Sequence, residues 1–339
     1  MQPVTPLRSD ILFILRAFYD YDGENRLSNG LKKSAAFVVD MLLREGFRAG
    51  LEVAIDGNCI DRLVTEARAK VVILEAIWVT PEKMAELKRL HPRVRWIVRV
   101  HSEIPFLANE GLSIAWLAAY AKMGVSVAFN SSRTAVDFQV VAPASFLPNY
   151  YPPRKLRDEI PCGSELNVGC FGAIRPLKNQ LIQAFAAVRF AEQRRQKLRF
   201  HMNGTRQEQG GDNNLKSIVA LVEATGNELV LHPWMEHPLF LQLIREMTLC
   251  LQVSLSESFN IVSADAVGMG VPLVGSSAIT WLPRRSRVDP CDMEAMVEAM
   301  HAADKTVVAL NHDHLERYCA DSLEMWSRQM EFLLAPKGK

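Results

Sequence analysis

Cysteine is sparse: six residues in 339, at positions 59, 162, 170, 250, 291 and 319, with no Cys-x-x-Cys pair among them. They sit mostly in apolar segments and are expected to be reduced, buried thiols of a cytosolic protein. Long apolar runs are missing too. Val71–Val79 is interrupted by Glu75 and Ile114–Ala121 is too short, against the ~18 residues that a bilayer span needs. The first residues, Met1-Gln-Pro-Val-Thr-Pro, lack a basic segment followed by an apolar stretch, so no signal peptide is expected. Neither sign of charge dominates: 39 Lys and Arg stand against 38 Asp and Glu, so no global basic field advertises nucleic acid. What is present is ordinary globular material. A content of 49% hydrophobic and 23% charged residues excludes a disordered or fibrous chain. At this length a chain buries roughly three quarters of its surface and needs no covalent staple.

Length suggests two domains at ~150 residues each, and the pattern agrees. Strand-like runs at Asp10–Phe18, Leu51–Ile55, Lys70–Leu74, Val94–Val100 and Val125–Phe129 alternate with helical segments at Asn29–Glu45, Pro81–Leu90 and Ser131–Val140. Such alternation predicts a parallel sheet covered on both faces. Pro148-Asn-Tyr-Tyr-Pro152-Pro153 and the charged stretch to Glu159 then read as a linker. After it the rhythm restarts, with strands at Leu166–Phe171, Leu198–Met202, Glu228–Leu231, Leu249–Val253 and Pro272–Val274. The helices between them are expected at Lys178–Glu192, Asn213–Ala224, Pro238–Met247 and Ile261–Val267, and a long helix at His312–Leu334 closes the chain. Ligands of such sheets bind beyond the carboxyl ends of the strands.

The segment from Ser254 to Gly275 carries the densest chemistry. A strand ends in a polar loop holding Glu257, and Asp265 follows eight residues later, about two turns along the next helix, so both carboxylates can face one cleft. Ser258, Phe259 and Asn260 bring backbone N–H groups to that helix's N-terminus, a place suited to an anion. A capped helix with solvated acids is the other reading of the same pattern. A second patch runs from Asn167 to Gln180: a strand, a glycine turn at Gly172 that allows close backbone approach, then Arg175 and Lys178 opening a helix. Fixed N–H donors beside positive charge suit a diphosphate. His101 lies just past the strand Val94–Val100, where a histidine can also simply cap or pack. Gly30 ends a polar loop, from Asp20, that follows the first strand. The Asn203-Gly204-Thr205-Arg206 turn follows another strand, and His232-Pro-Trp-Met-Glu-His237 lacks acid partners at ligand spacing, so it offers no zinc site.

The block at Glu257 and Asp265 resembles the Glu-x7-Glu signature of GT-B glycosyltransferases, specifically the large retaining family four (glycosyltransferase group 1). The resemblance implies an α/β GT-B fold, two Rossmann-like domains facing a central cleft. Residues 1–150 would form the acceptor domain, 151–165 the linker, 166–311 the nucleotide-sugar domain, and 312–339 a long helix packing back on the first domain. There are departures. Asp265 stands where Glu is usual, Ser258 and Asn260 replace glycines, and Ala173 occupies the place of the family's arginine. By the resemblance Glu257 contacts the donor sugar, Asp265 the ribose, Lys178 and Arg175 the diphosphate, and His101 the donor sugar from the other domain. Gly30, Gly172, Asn203, Ser258, Phe259 and Asn260 then line the donor site.

The expected activity is retaining transfer of a sugar from a nucleoside-diphosphate sugar, UDP favoured over GDP, to a hydroxyl acceptor, in the first place a glycan. The donor is a substrate, no further cofactor is implied, and no metal is expected, because Asp20 and Asp22 follow the first strand rather than a later one. The expected location is cytoplasmic, with no membrane insertion. Three alternatives stay open: transfer to hydroxymethylated DNA bases, a sugar-nucleotide epimerase, and a non-catalytic nucleotide-sugar-binding protein.

Overall fold

In the computed structural model, residues 8–17, 29–154 and 165–335 are described. The chain divides into two units, one of residues 1–152 with 319–339, the other of residues 153–318.

The first unit holds a six-stranded, all-parallel sheet of β1 (Ile11–Arg16), β2 (Ala49–Ala54), β3 (Val71–Glu75), β4 (Arg95–Val100), β5 (Ser126–Phe129) and β6 (Ala144–Phe146) in the order β2-β1-β3-β4-β5-β6. β3 is buried at all five residues, which is why it reads as an apolar run of four closed by Glu75 rather than an alternation. Helix Pro81–Leu90 starts where expected: the Thr80 hydroxyl accepts from Lys83 N at 3.3 Å and Pro81 sits at the first helical position. Additions to the expected set in this unit include the short half-buried strand β6, the amphipathic helix Cys59–Ala67 and the helix Ser113–Lys122.

The second unit repeats the plan with β7 (Leu166–Gly169), β8 (Leu198–Asn203), β9 (Glu228–His232), β10 (Leu249–Gln252), β11 (Leu273–Ser276) and β12 (Arg287–Val288), all parallel. Their order is β12-β11-β10-β7-β8-β9, so the chain builds outward one way from β7 and then restarts at β10 on its other side. That reversal between β7 and β10 is the switch point at which such sheets bind ligands. β12 and the helix Met293–Ala302, capped by Asp292, add to the expected elements.

Three expectations change. His312 and His314 do not open the last helix, which begins seven residues before His312 and runs Lys305–Leu334. Tyr150 and Tyr151 are not a solvated connector: both are buried, and Tyr151 meets the Phe37 ring edge-on at 5.4 Å. The cysteines are not uniformly buried. Cys170, Cys250 and Cys319 are, but Cys59 is half-buried, Cys291 is exposed, and Cys162 lies outside the described residues. Burial pushes the Cys170 thiol up to about 12, so it is an inert packing group.

Candidate active site

Lys178 follows β7 and Glu257 follows β10, the two strands that flank the switch point. Beyond the strands their loops stay stitched together. Leu255 N donates to Leu177 O at 2.9 Å, Val253 N donates to the Gln183 side-chain oxygen at 2.8 Å, and Asn179 Nδ2 donates to Val253 O at 3.1 Å. Asn179 also donates to Pro290 O at 2.7 Å and adopts a left-handed backbone, which turns the chain into helix Gln180–Arg194. The outcome is an ion pair between Lys178 Nζ and Glu257 Oε1, with both side chains largely withdrawn from water.

The Gly172 turn works differently from expectation. Its φ of +119° requires glycine, yet an added Cβ meets nothing nearer than Lys178 Cε at 4.0 Å. The need is torsional, not a close approach. Its N–H is already committed, donating to Asn203 Oδ1 at 2.9 Å, so Asn203 shapes the turn. Close approach belongs to Gly211 instead, where a Cβ would lie 2.0 Å from Ile174 O.

Arg175 points to Glu208, with Nη1 3.3 Å from its carboxylate, and Glu208 also accepts from Arg206 Nε at 2.5 Å. Arg175 thus has a carboxylate partner that it shares with Arg206. Asn260 explains one departure from the family pattern. It takes a left-handed φ of 59° that glycine would usually supply, and its side chain accepts from Ser263 N at 2.9 Å to cap helix Ile261–Gly268. Its amide also donates to Gln252 Oε1 at 2.9 Å. Phe259 is core: its ring is buried between Trp281 and Tyr318, and its carbonyl accepts from Trp281 Nε1 at 2.7 Å. Ser258 sits half-buried in the same loop. Asp265 lies on that helix and accepts from His237 Nε2 at 2.7 Å. His237 thus has an acid partner 28 residues away in sequence, which no local spacing reveals.

His101 and Gly30 belong to the first unit. Gly30 is the second residue of helix Asn29–Arg44, and the loop with Asp20 and Asp22 lies outside the described residues. His101 sits in a polar cluster of five residues gathered around the carboxyl ends of four adjacent strands. Glu75 ends β3, Arg99 and His101 flank the end of β4, Asn130 follows β5 and Asn149 follows β6. The Glu75 carboxylate can only accept, so His101 carries its hydrogen on Nε2, and Nδ1 accepts from Asn130 Nδ2 at 3.3 Å. Both ring nitrogens are thus engaged inside the unit. Burial drives the His101 pKa below its ordinary value. Burial alone would raise the Glu75 carboxyl, but the Arg99 guanidinium beside it holds it below the usual carboxylate range.

Among the described residues, His312, Asp313 and Glu316 bring ligand-type atoms within 4.8 Å of one another. They lie on the last helix, with Asp313 and Glu316 exposed and His312 buried, its Nε2 hydrogen-bonded to Arg154 O at 2.6 Å.

Residues 123–335 match the family described as Family 4 Glycosyltransferase in conflict systems. No curated protein matches the sequence. Among solved structures, sucrose-phosphate synthase from Thermosynechococcus elongatus superposes with a TM-score of 0.70 at 11% identity, covering 96% of this chain and 100% of that one. HepE of Anabaena, in complex with UDP and glucose, gives 0.65 at 14% identity over 96% and 99%. A UDP-forming α,α-trehalose-phosphate synthase from Burkholderia xenovorans gives 0.63 at 12% over 96% and 98%. At these identities the likeness is one of fold: two parallel α/β units of the GT-B type. With more than half of its length matched to the family, the chain belongs to the family 4 glycosyltransferases in conflict systems.

Proposed function

We propose that this chain transfers a sugar, with retention of anomeric configuration, from a nucleoside-diphosphate sugar held by the second unit to a hydroxyl of a glycan acceptor held mainly by the first. The observation that carries the reading is the Lys178–Glu257 pair at the β7/β10 switch point. UDP is favoured as the nucleotide because HepE binds UDP and the Burkholderia synthase forms it.

In this reading the acceptor oxygen forms a bond to the anomeric carbon while the bond from that carbon to the diphosphate breaks. The acceptor proton passes to the departing phosphate oxygen, so no side-chain base is required. The protein's part is to orient the donor and to stabilise the charge that develops on the leaving group. Lys178 supplies the opposing positive charge, so a metal ion is not needed in the role. Glu257 holds the ammonium in place and accepts from donor-sugar hydroxyls, and Asp265 accepts from the ribose. Lys178 is the principal cation in this reading, and Arg175, paired with Glu208, is the secondary one. Among the described residues no helix is long and apolar enough to cross a membrane. The buried thiols Cys170 and Cys250 support a reducing, cytoplasmic setting.

Lys178→Ala tests the reading. The expected result is a loss in kcat of ~10²–10³ in a folded protein, and a product whose anomeric configuration by NMR matches the donor's. A loss below about tenfold would move the stabilising role to other groups, and an inverted product would overturn retention.

A further inference from the structure

His237 opens helix His237–Arg245 and reaches across to helix Ile261–Gly268, where its Nε2–H meets Asp265 Oδ1 at 2.7 Å. The two helices pack on each other. Asp265 is only 2% exposed and the His237 ring is mostly covered, so this is not a casual surface contact. The helix that carries His237 is itself held: Phe240 meets Phe171 edge-on at 5.3 Å, immediately before the Gly172 turn. The ring is therefore fixed relative to both the turn after β7 and the helix after β10.

Asp is shorter than Glu by one methylene, about 1.5 Å of reach. A carboxylate on a short stem can still turn about its last bond, and a fixed N–H on one oxygen removes that freedom. It also leaves the carboxylate the capacity to accept further hydrogen bonds, of which it can take about four in all. We propose that His237 is a positioning residue of the donor site: it orients the Asp265 carboxylate to accept from a ribose diol and so offsets the missing methylene. The proposal rests on the reading of Asp265 as the ribose-binding carboxylate.

Isothermal titration of the full chain with UDP and GDP, each beside its 2′-deoxy counterpart, separates the two ideas. The wild type is expected to prefer a ribonucleotide over its deoxy form by about tenfold. His237→Ala should weaken the ribonucleotide about tenfold and its deoxy form by less than about threefold, so that the preference collapses. His237→Gln, whose amide N–H can still donate, should restore most of it, and it also carries the test if the alanine variant does not fold. An unchanged preference in His237→Ala, or equal weakening of both nucleotides, would overturn the positioning role while leaving the donor site standing. A wild type that binds nucleotides without a ribose preference would overturn the assignment of Asp265 and the proposal with it. A wild type that binds none of the four would overturn the donor reading itself.

Discussion

Arg99 and Glu75 lie side by side with no solvent exposure, the guanidinium Nη1 3.1 Å from one carboxylate oxygen and 3.2 Å from the other. Removing two charges from water is costly, and here the cost is met by full coordination. Arg99 also donates to Leu147 O at 3.0 Å, Pro148 O at 2.8 Å and Asn149 Oδ1 at 2.5 Å, and its guanidinium lies 5.3 Å from the Trp326 ring centroid. Trp326 in turn donates to Pro148 O at 2.8 Å and packs on Phe13. One arginine therefore ties β3, the segment after β6 and the last helix into one core. Arg99→Met should destabilise the protein by about 3–5 kcal/mol, because it strands a buried carboxylate. Adding Glu75→Leu should recover a substantial part of that loss. The midpoint of the urea transition, followed by tryptophan fluorescence, measures both. An Arg99→Met midpoint equal to wild type would show that the pair contributes nothing.

Acid should unfold the second unit through a different residue. His201 donates from Nε2 to Asn167 Oδ1 at 3.0 Å and accepts on Nδ1 from His232 at 2.9 Å, so it is built into the core as a neutral ring. Burial, with the His232 and Arg199 charges beside it, lowers its pKa from 6.5 to about 4. The folded value lies below the unfolded one, so the unfolded chain binds the proton first as pH falls. The stability it contributes is complete above about pH 6.5 and is lost as pH drops through about 4. His201→Gln should flatten the pH dependence of stability between those values by on the order of 2 kcal/mol. Glu75 and His101, both also lowered, add losses of the same sign that persist in the variant. Equal slopes for variant and wild type would mean that His201 titrates as it does in the unfolded chain.

The loop after Glu257 makes a separate demand on residue 260. With φ at 59° and a side chain that caps Ser263 N, Asn260 meets both a torsional and a hydrogen-bonding requirement. Asn260→Gly keeps the torsion and loses the cap, at a cost of only a few tenths of a kcal/mol from capping, plus about 1 kcal/mol for the bond to Gln252. Asn260→Ala loses the cap and is strained in the left-handed region, so it should cost about 1–2 kcal/mol more than glycine does. Thermal unfolding of the two variants decides it. Alanine as stable as glycine would show that the loop relaxes to negative φ.

How much of this was legible before any coordinates depends on the range of the signal. The buried strands β1, β3 and β4 announce themselves as apolar runs, and Thr80 with Pro81 marks a helix start, because these signals lie within a few residues. Helix Cys59–Ala67 was equally legible, since Ile60, Leu63, Val64 and Ala67 fall at helical spacing and all are buried. By contrast β12 has two residues, too few for a period to exist. The site divides the same way. Lys178, Glu257 and Asp265 each stand in a local motif. Their neighbours do not: His237 reaches Asp265 across 28 residues and Arg99 reaches Glu75 across 24, through strand and helix packing that no local spacing encodes. By sequence alone Arg99 is one more cation of the first unit, and the structure buries it.

That correction bears on the acceptor. The first unit offered Lys32, Lys33, Arg44, Arg89, Arg93, Arg95 and Arg99 as cations for a polyanion. Arg99 is spent on Glu75, Arg95 donates to Phe332 O at 3.1 Å in the last helix, and Lys33 lies over the Phe37 ring. The exposed remainder is diluted by acids on its own elements. Asp40 and Glu45 flank Arg44, and Glu82 and Glu86 share the helix of Arg89, with Glu86 paired to Lys83. Duplex binding needs several phosphates neutralised at once, and each one adds to the steepness with which affinity falls as salt rises. A neutral glycan carries no such term. The chain should therefore show no duplex-DNA binding at about 150 mM salt, and transfer to its acceptor should vary little between ~50 and ~200 mM. Gel-shift and transfer assays across that range provide the check. Transfer of labelled sugar to hydroxymethylated DNA, abolished by raising the salt, would move the acceptor to nucleic acid. The donor chemistry at Lys178 and Glu257 would be untouched by that outcome, since those residues lie in the other unit.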